Sequence, residues 1–203
     1  RSDLKKNNLI RANFKNVSSA KLCTSLENEY GVKISTVEHL LAALYISGVD
    51  NAIIEVDNQE IPIMDGSAKE FLKTLGKTSK VKLTSKRKYL RILEKVELKD
   101  DKKTLSIEPN QNFIVDFRLD YKNEIIGKQK NLVNFHEDNL DDISSSRTFC
   151  LFEDIENIKK QGLAKGGSLD NAVVVDGSKI LNKDGLRNSK EFVNHKILDL
   201  AGD

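Results

Sequence analysis

The segment STVEHLLAALYISG, residues 35–48, places apolar side chains at Val37, Leu40, Leu41, Leu44 and Tyr45. This i, i+3, i+4 spacing predicts a helix, and Gly48 supplies its stop. NAIIEV (51–56) predicts a buried strand. IPIMDGSAKEFLKTLG (61–76) predicts a turn and then a helix with Phe71, Leu72 and Leu75 on one side, ending at Gly76. The run KTSKVKLTSKRK (77–88) is polar and basic, and after it the pattern changes to hairpin-like strands in YLRILEKVEL, TLSIEP and NFIVDFRLDY. A short helix in FEDIENIKKQG, a glycine-containing turn and strand in GGSLDNAVVVD, and a closing helix from about Ser189 complete the predicted elements.

Each half mixes strands with helices, so the predicted fold class is α+β with two domains, each a β-sheet layered against α-helices. The boundary falls near residue 87, giving units 1–87 and 88–203. A chain of 203 residues can bury a core as one large domain or as two of roughly 100 residues. No internal repeat and no low-complexity segment is visible.

Apolar residues make up 38% of the chain and charged residues 32%, with 33 basic against 31 acidic side chains. A formal net charge of +2 offers no electrostatic case for nucleic acid. No run approaches the ~18–20 apolar residues needed to cross a bilayer, and RSDLKKNNLI lacks the apolar core of a secretory signal. The expectation is a cytoplasmic protein that does not span a membrane. Cys23 and Cys150 lie far apart and form no C-x-x-C pattern, which predicts reduced thiols rather than a disulfide framework or a thiolate metal site.

Only three histidines occur, so candidate chemistry is quickly narrowed. His136, in NFHEDNL, reads as an exposed loop residue. In HKILDLAGD, His195 and Asp199 lie a turn apart on one helix face, where an imidazole nitrogen and a carboxylate oxygen can reach one metal ion. A catalytic zinc takes three protein ligands, and His39 is the remaining candidate for the third. The same H-x-x-x-D spacing also fits a plain surface ion pair. Glu38 has two readings: a catalytic carboxylate beside His39, or the last residue of a capping box, STVE, in which Ser35 caps the helix. LAKGGSLDN lacks a phosphate-loop pattern and reads as a turn, and SSSRTF lacks a G-x-S-x-G setting for a nucleophile.

Taken in order, TVEHLLAAL, EIPIMDGSA, RTF, GLAKGGSLDNAVVVD, LNKDGLR and EFVNHKILDLAGD resemble the UDP-3-O-acyl-N-acetylglucosamine deacetylase family. These are zinc amidases of lipid A biosynthesis in Gram-negative bacteria, and the resemblance covers essentially the whole chain. It implies Zn2+ held by His39, His195 and Asp199, with Glu38 as general base. It also implies that Thr148 donates to the developing oxyanion, that Lys196 lies beside the site, and that Asp203 orients a catalytic histidine. Substrate contacts are implied at Cys23, Phe149, Ile155, Gly167, Ser168 and Val174. Ile155, Leu163, Val173 and Val174 fall in an implied acyl-passage insert within about residues 150–175 and equally suit an ordinary core. Cys23 equally suits a small buried hydrophobe.

The implied fold sets the active site between the two domains. The implied partner is UDP-3-O-acyl-N-acetylglucosamine, with the protein a monomer. The family pattern begins before RSDL and continues past Asp203 with a β segment and a further histidine, so a fragment clipped at both ends is expected. The competing reading is a truncated, non-catalytic relative that only binds zinc or nucleotide sugar. Peptidase chemistry is disfavoured because H-E-x-x-H is absent.

Overall fold

The computed structural model describes residues 1–101 and 103–203 and is α+β. Strands β1 (Val17–Ser19), β2 (Ser25–Glu27) and β3 (Lys33–Ser35) form an antiparallel sheet in that order. Helices α1 (Glu38–Ile46) and α2 (Lys69–Leu75) follow. Two antiparallel hairpins come next, β4 (Val96–Asp100) with β5 (Lys103–Ile107), and β6 (Ile114–Asp120) with β7 (Lys128–Asn134). After α3 (Asp141–Ser145) comes a sheet ordered β10-β9-β8, built from β8 (Phe149–Leu151), β9 (Val173–Asp176) and β10 (Lys179–Ile180). Strands β8 and β9 pair in parallel. A parallel pair needs a long crossover, and α4 (Ile155–Lys160) with the following loop supplies it. The chain closes with α5 (Glu191–Gly202).

Helix α5 organises the main core. Phe192, Val193, Ile197 and Leu198 are fully buried against Ala42 and Ala43 of α1, Val115 and Leu119 of β6, Val133 of β7, and Val173 and Val175 of β9. Burying side chains of this size contributes roughly 1.5–3 kcal/mol each. A smaller cluster, Leu26, Ile34, Val37 and Ile61, packs the first sheet against the start of α1.

The α1–α5 crossing is closer than side chains would normally permit. A Cβ added at Gly202 would lie 1.9 Å from the Glu38 carbonyl oxygen and 3.0 Å from the Ala42 amide nitrogen. Small residues therefore face each other where the helices meet. Tyr45, one of the apolar positions whose spacing marks the helix, is 43% exposed, while Ala42 and Ala43 are fully buried. Apolar spacing identified the helix, but backbone proximity chose the face.

Two predicted strands are absent as such. NAIIEV has no regular structure, and Ile53 is 90% exposed. In YLRILEKVEL only the part from Val96 onward is strand. Apolar runs signal a strand only if a partner is available to satisfy the backbone, and these residues form no ladder among the described residues. The predicted α2, β5, β6, β9 and α5 segments are all present in regular structure. No helix among the described residues is long and apolar enough to cross a membrane.

Replacing Gly202 with alanine should force α1 and α5 apart. Helix propensity favours alanine by up to ~1 kcal/mol, but the 1.9 Å approach requires backbone movement. A net loss of about 1–3 kcal/mol is expected from overpacking, read as a lower urea midpoint with an unchanged slope. A midpoint equal to or above that of the parent protein would contradict the close crossing.

Candidate metal centre and active site

The site begins at the junction of β3 and α1. Thr36 follows the last residue of β3 with φ 60°, a left-handed conformation that is strained for a β-branched residue. Its hydroxyl donates to Glu60 Oε1 at 2.8 Å. The chain thus turns sharply into a helix whose first residues are Glu38 and His39, both buried. The capping-box reading of STVE does not hold. The helix starts at Glu38, Val37 is the cap residue, and no side chain caps it. Ser35 is still paired in β3, where its hydroxyl accepts from the Ser25 hydroxyl at 3.0 Å. Glu38 Oε2 instead accepts the Thr24 backbone N–H at 3.0 Å.

Helix α5 brings His195 and Asp199 to the same place. One ligand atom each from His39, His195 and Asp199 lies within 4.8 Å of the others. Asp199 Oδ1 is 3.4 Å from His39 Nε2 and 3.3 Å from His195 Nε2. It is buried without a hydrogen-bond partner. The other carboxylate oxygen, Oδ2, accepts from Lys196 Nζ at 2.9 Å. Leaving a buried carboxylate oxygen unpaired is costly, and two imidazole nitrogens converging on it form a donor set for a divalent cation of zinc-like softness.

Protonation states suit that role. Burial lowers the His195 pKa to about 4, so the ring is neutral near pH 7 and has a lone pair to give. Its Nδ1 lies 3.0 Å from the Ser146 carbonyl oxygen. The carbonyl can only accept, so Nδ1 carries the proton and Nε2 faces the cluster. Burial alone would raise the Asp199 carboxyl, but positive charge beside it, from the His195 ring whenever it carries a proton and from the Lys196 ammonium, outweighs burial and holds it well below the usual carboxylate range. Burial raises the Glu38 carboxyl, with Asp199 adding to the rise and hydrogen bonds to backbone N–H groups opposing it. A carboxyl raised by burial is poised to accept a proton during a reaction.

Other predicted residues surround this cluster. Lys196 Nζ lies 5.6 Å from the Phe149 ring centroid, and the Phe149 and His195 rings are 6.3 Å apart. Thr148 is fixed by its backbone, its N–H donating to Gly66 O and its carbonyl accepting from Val173 N, both at 2.8 Å. Its hydroxyl makes no hydrogen bond among the described residues. The Asp203 carboxylate accepts the Thr24 hydroxyl at 2.6 Å, and Cys23 is half-buried beside Thr24 as a free thiol. Four predicted substrate contacts are not drawn into the cluster by any hydrogen bond. Gly167 and Ser168 lie in an exposed turn closed by Ser168 N–H donating to Asn171 Oδ1, Ile155 opens α4, and Val174 is buried in β9 beside Cys150 of β8. His136 lies in an exposed turn, as expected.

Sequence reasoning missed Thr24, Ser146, Arg147, Glu191 and the Asp65–Arg187 pair. Thr24 contacts Glu38, 14 positions along the chain, and Asp203, 179 positions along it, contacts that no spacing signals. Glu191 had a readable signal. It precedes His195 by four residues, so Glu191, His195, Asp199 and the C-cap Asp203 recur at i+4 steps along a helix whose other polar side chains are Asn194 and Lys196. Asp65 holds the turn beneath Thr148. Its carboxylate accepts from Arg187 Nη1 at 2.8 Å and from the Ser67 hydroxyl at 2.9 Å, while Arg187 also donates to the Ser145 carbonyl at 2.9 Å. In that turn Gly66 has φ 82°, and a Cβ there would lie 2.0 Å from the Asn171 carbonyl oxygen.

Comparison with known proteins shows the family of the chain. The profile of a family described as LpxC, UDP-3-O-acyl N-acetylglycosamine deacetylase, matches residues 1–203. The chain is 43% identical to the UDP-3-O-acyl-N-acetylglucosamine deacetylase of Shewanella violacea, over 100% of this chain and 67% of that protein. It is 46% identical to the proteins of that name from Pasteurella multocida and Haemophilus influenzae, in each case over 100% of this chain and 68% of the relative. The chain therefore spans about two thirds of the length of these relatives.

The Asp65 contacts predict a pH dependence of stability. Burial raises its carboxyl, but hydrogen bonds from Arg187 and Ser67 outweigh that and leave it lowered overall. A group with a depressed folded pKa stabilises above its unfolded value, near ~3.9, and that contribution is lost as pH falls through the folded value. Asp65→Asn should lower unfolding stability at pH 7 by about 1.5–3 kcal/mol, the range for hydrogen bonds to a charged group. The gap to the parent protein should close as pH drops below ~4. A gap that stays constant from pH 7 to pH 3 would contradict the assignment.

Proposed function

The chain belongs to the UDP-3-O-acyl N-acetylglycosamine deacetylase family, and from that membership we propose a zinc-dependent deacetylase. Its substrate is UDP-3-O-acyl-N-acetylglucosamine, its products are acetate and the free amine, and its place is the committed step of lipid A biosynthesis. The observation that carries this reading is the buried, unpartnered Asp199 Oδ1 facing the Nε2 atoms of His39 and His195. On this reading His39, His195 and Asp199 hold the zinc, in a cleft between units 1–87 and 88–203. The protein acts as a cytoplasmic monomer.

When bound, zinc supplies Lewis acidity for the acetamide carbonyl and brings the pKa of a bound water towards ~7. The protein's own groups do the rest. Glu38, its carboxylate held by the Thr24 N–H, takes the proton of the attacking water. The Thr148 hydroxyl, left free while its backbone is clamped on both sides, donates to the carbonyl oxygen as negative charge grows there. Lys196, which keeps its ammonium through contact with Asp199, adds positive potential. A donor of this kind is worth about 2.7–4 kcal/mol in other hydrolases. Asp203, fixed by Thr24, orients the group that protonates the leaving amine. Phe149 stacks beside the reacting sugar, and Cys23, Ile155, Gly167, Ser168 and Val174 contact the substrate.

The test uses the full-length protein. It should contain one zinc per chain and release acetate from the UDP-sugar. Glu38→Gln should lower kcat by ~10²–10⁴, the range for a lost general base, with zinc content unchanged. A zinc-free protein, or turnover unchanged in Glu38→Gln, would contradict the proposal.

A further inference from the structure

The Ser146 carbonyl that receives the His195 Nδ1 proton and the Arg147 N–H belong to one peptide unit. Glu191, one turn before His195 on α5, grips the other side of that unit. Its Oε1 accepts the Arg147 N–H at 3.1 Å and Arg147 Nε at 2.7 Å. Its Oε2 accepts Arg147 Nη2 at 3.1 Å and the Arg187 N–H at 2.6 Å. Arg147 Nη2 also donates to the Gly185 carbonyl at 2.8 Å. Glu191 is 0% exposed and Arg147 7%.

Such a pair is a poor device for stability alone. Taking two ions out of water is costly, and apolar residues of similar volume often serve a core as well or better. What this pair supplies is position and polarity. We propose that Glu191 is a positioning residue for the metal centre, acting on His195 through the 146–147 peptide.

The chain of contacts runs from the Glu191 carboxylate to the Arg147 N–H, through the peptide to the Ser146 carbonyl, then to His195 Nδ1–H and Nε2. A negative charge at the N–H end polarises the peptide and strengthens its carbonyl as an acceptor. A stronger acceptor at Nδ1–H fixes the tautomer and raises the basicity of Nε2. Metal-binding histidines commonly obtain this from a carboxylate directly. Here the carboxylate lies one peptide away, and because Glu191 and His195 share one face of α5, a single helix sets both ends of the relay. The next residue along is Thr148, so the same grip places its hydroxyl.

The inference rests on the metal-site reading above, and its test separates the two. In the zinc-loaded, full-length protein, 15N-edited NMR should show a proton on His195 Nδ1 in slow exchange. Zinc bound with no protected Nδ1–H signal from His195 would overturn the relay without any variant being made. Arg147→Met combined with Glu191→Leu removes both buried ions together, which a core tolerates better than losing one. In that double variant zinc affinity should fall ~10–100-fold, as for other outer-shell partners of metal ligands. The Nδ1–H signal should also move or broaden, and kcat should fall more than KM changes. A folded double variant with zinc affinity and imidazole signals like those of the parent would overturn the proposal. Absence of zinc from the parent protein would instead sink the metal-site reading itself.

Discussion

The close backbone crossing of α1 and α5 is the constraint on which the rest depends. Gly202 lies against the Glu38 carbonyl with no room for a side chain. That contact sets the start of one helix beside the end of the other. His39, one residue after Glu38, therefore meets His195 and Asp199, which lie two turns and one turn before the end of α5. The apolar residues of α5 anchor the helix in the main core, so the site stands on packed helices rather than on mobile loops. Sites built on rigid elements hold their geometry best.

Around that crossing, burial and charge are balanced against each other. Desolvation leaves the His195 ring neutral, while the Lys196 ammonium at 2.9 Å favours the ionised form of Asp199. The same burial raises Glu38, one residue before His39. One buried cluster thus brings together a neutral imidazole, an ionised carboxylate and a carboxyl inclined to take a proton. The separation comes from what each group touches: a peptide carbonyl for His195, an ammonium for Asp199 and a backbone N–H for Glu38.

The helices and the clustering of His39, His195 and Asp199 were legible in the sequence for a plain reason. A period of 3.6 marks α1, α2 and α5, and the i+4 step places His195 over Asp199. The strands were less legible. β1, β2 and β3 have three residues each, too few for alternation to show, and NAIIEV has the composition of a strand but no ladder to join. STVE misled for a related reason: Ser35 belongs to β3, and the strained Thr36 turn moves the helix start to Glu38. The Ser146 carbonyl left no trace, because a backbone group has no signature in side-chain chemistry. Thr24 was hidden by distance along the chain. The polar stripe from Glu191 to Asp203 was present in the letters and marks one face of α5 as something other than core.

The central claim is that α1 and α5 together hold one zinc ion through His39, His195 and Asp199. Zinc X-ray absorption on the loaded protein tests it most directly. The zinc should be surrounded by two imidazole nitrogens at ~2.0–2.1 Å and oxygen at ~2.0–2.2 Å, with one imidazole lost in His39→Ala. A sulfur shell from Cys23 or Cys150 at ~2.3 Å, or an imidazole count unchanged in His39→Ala, would contradict it.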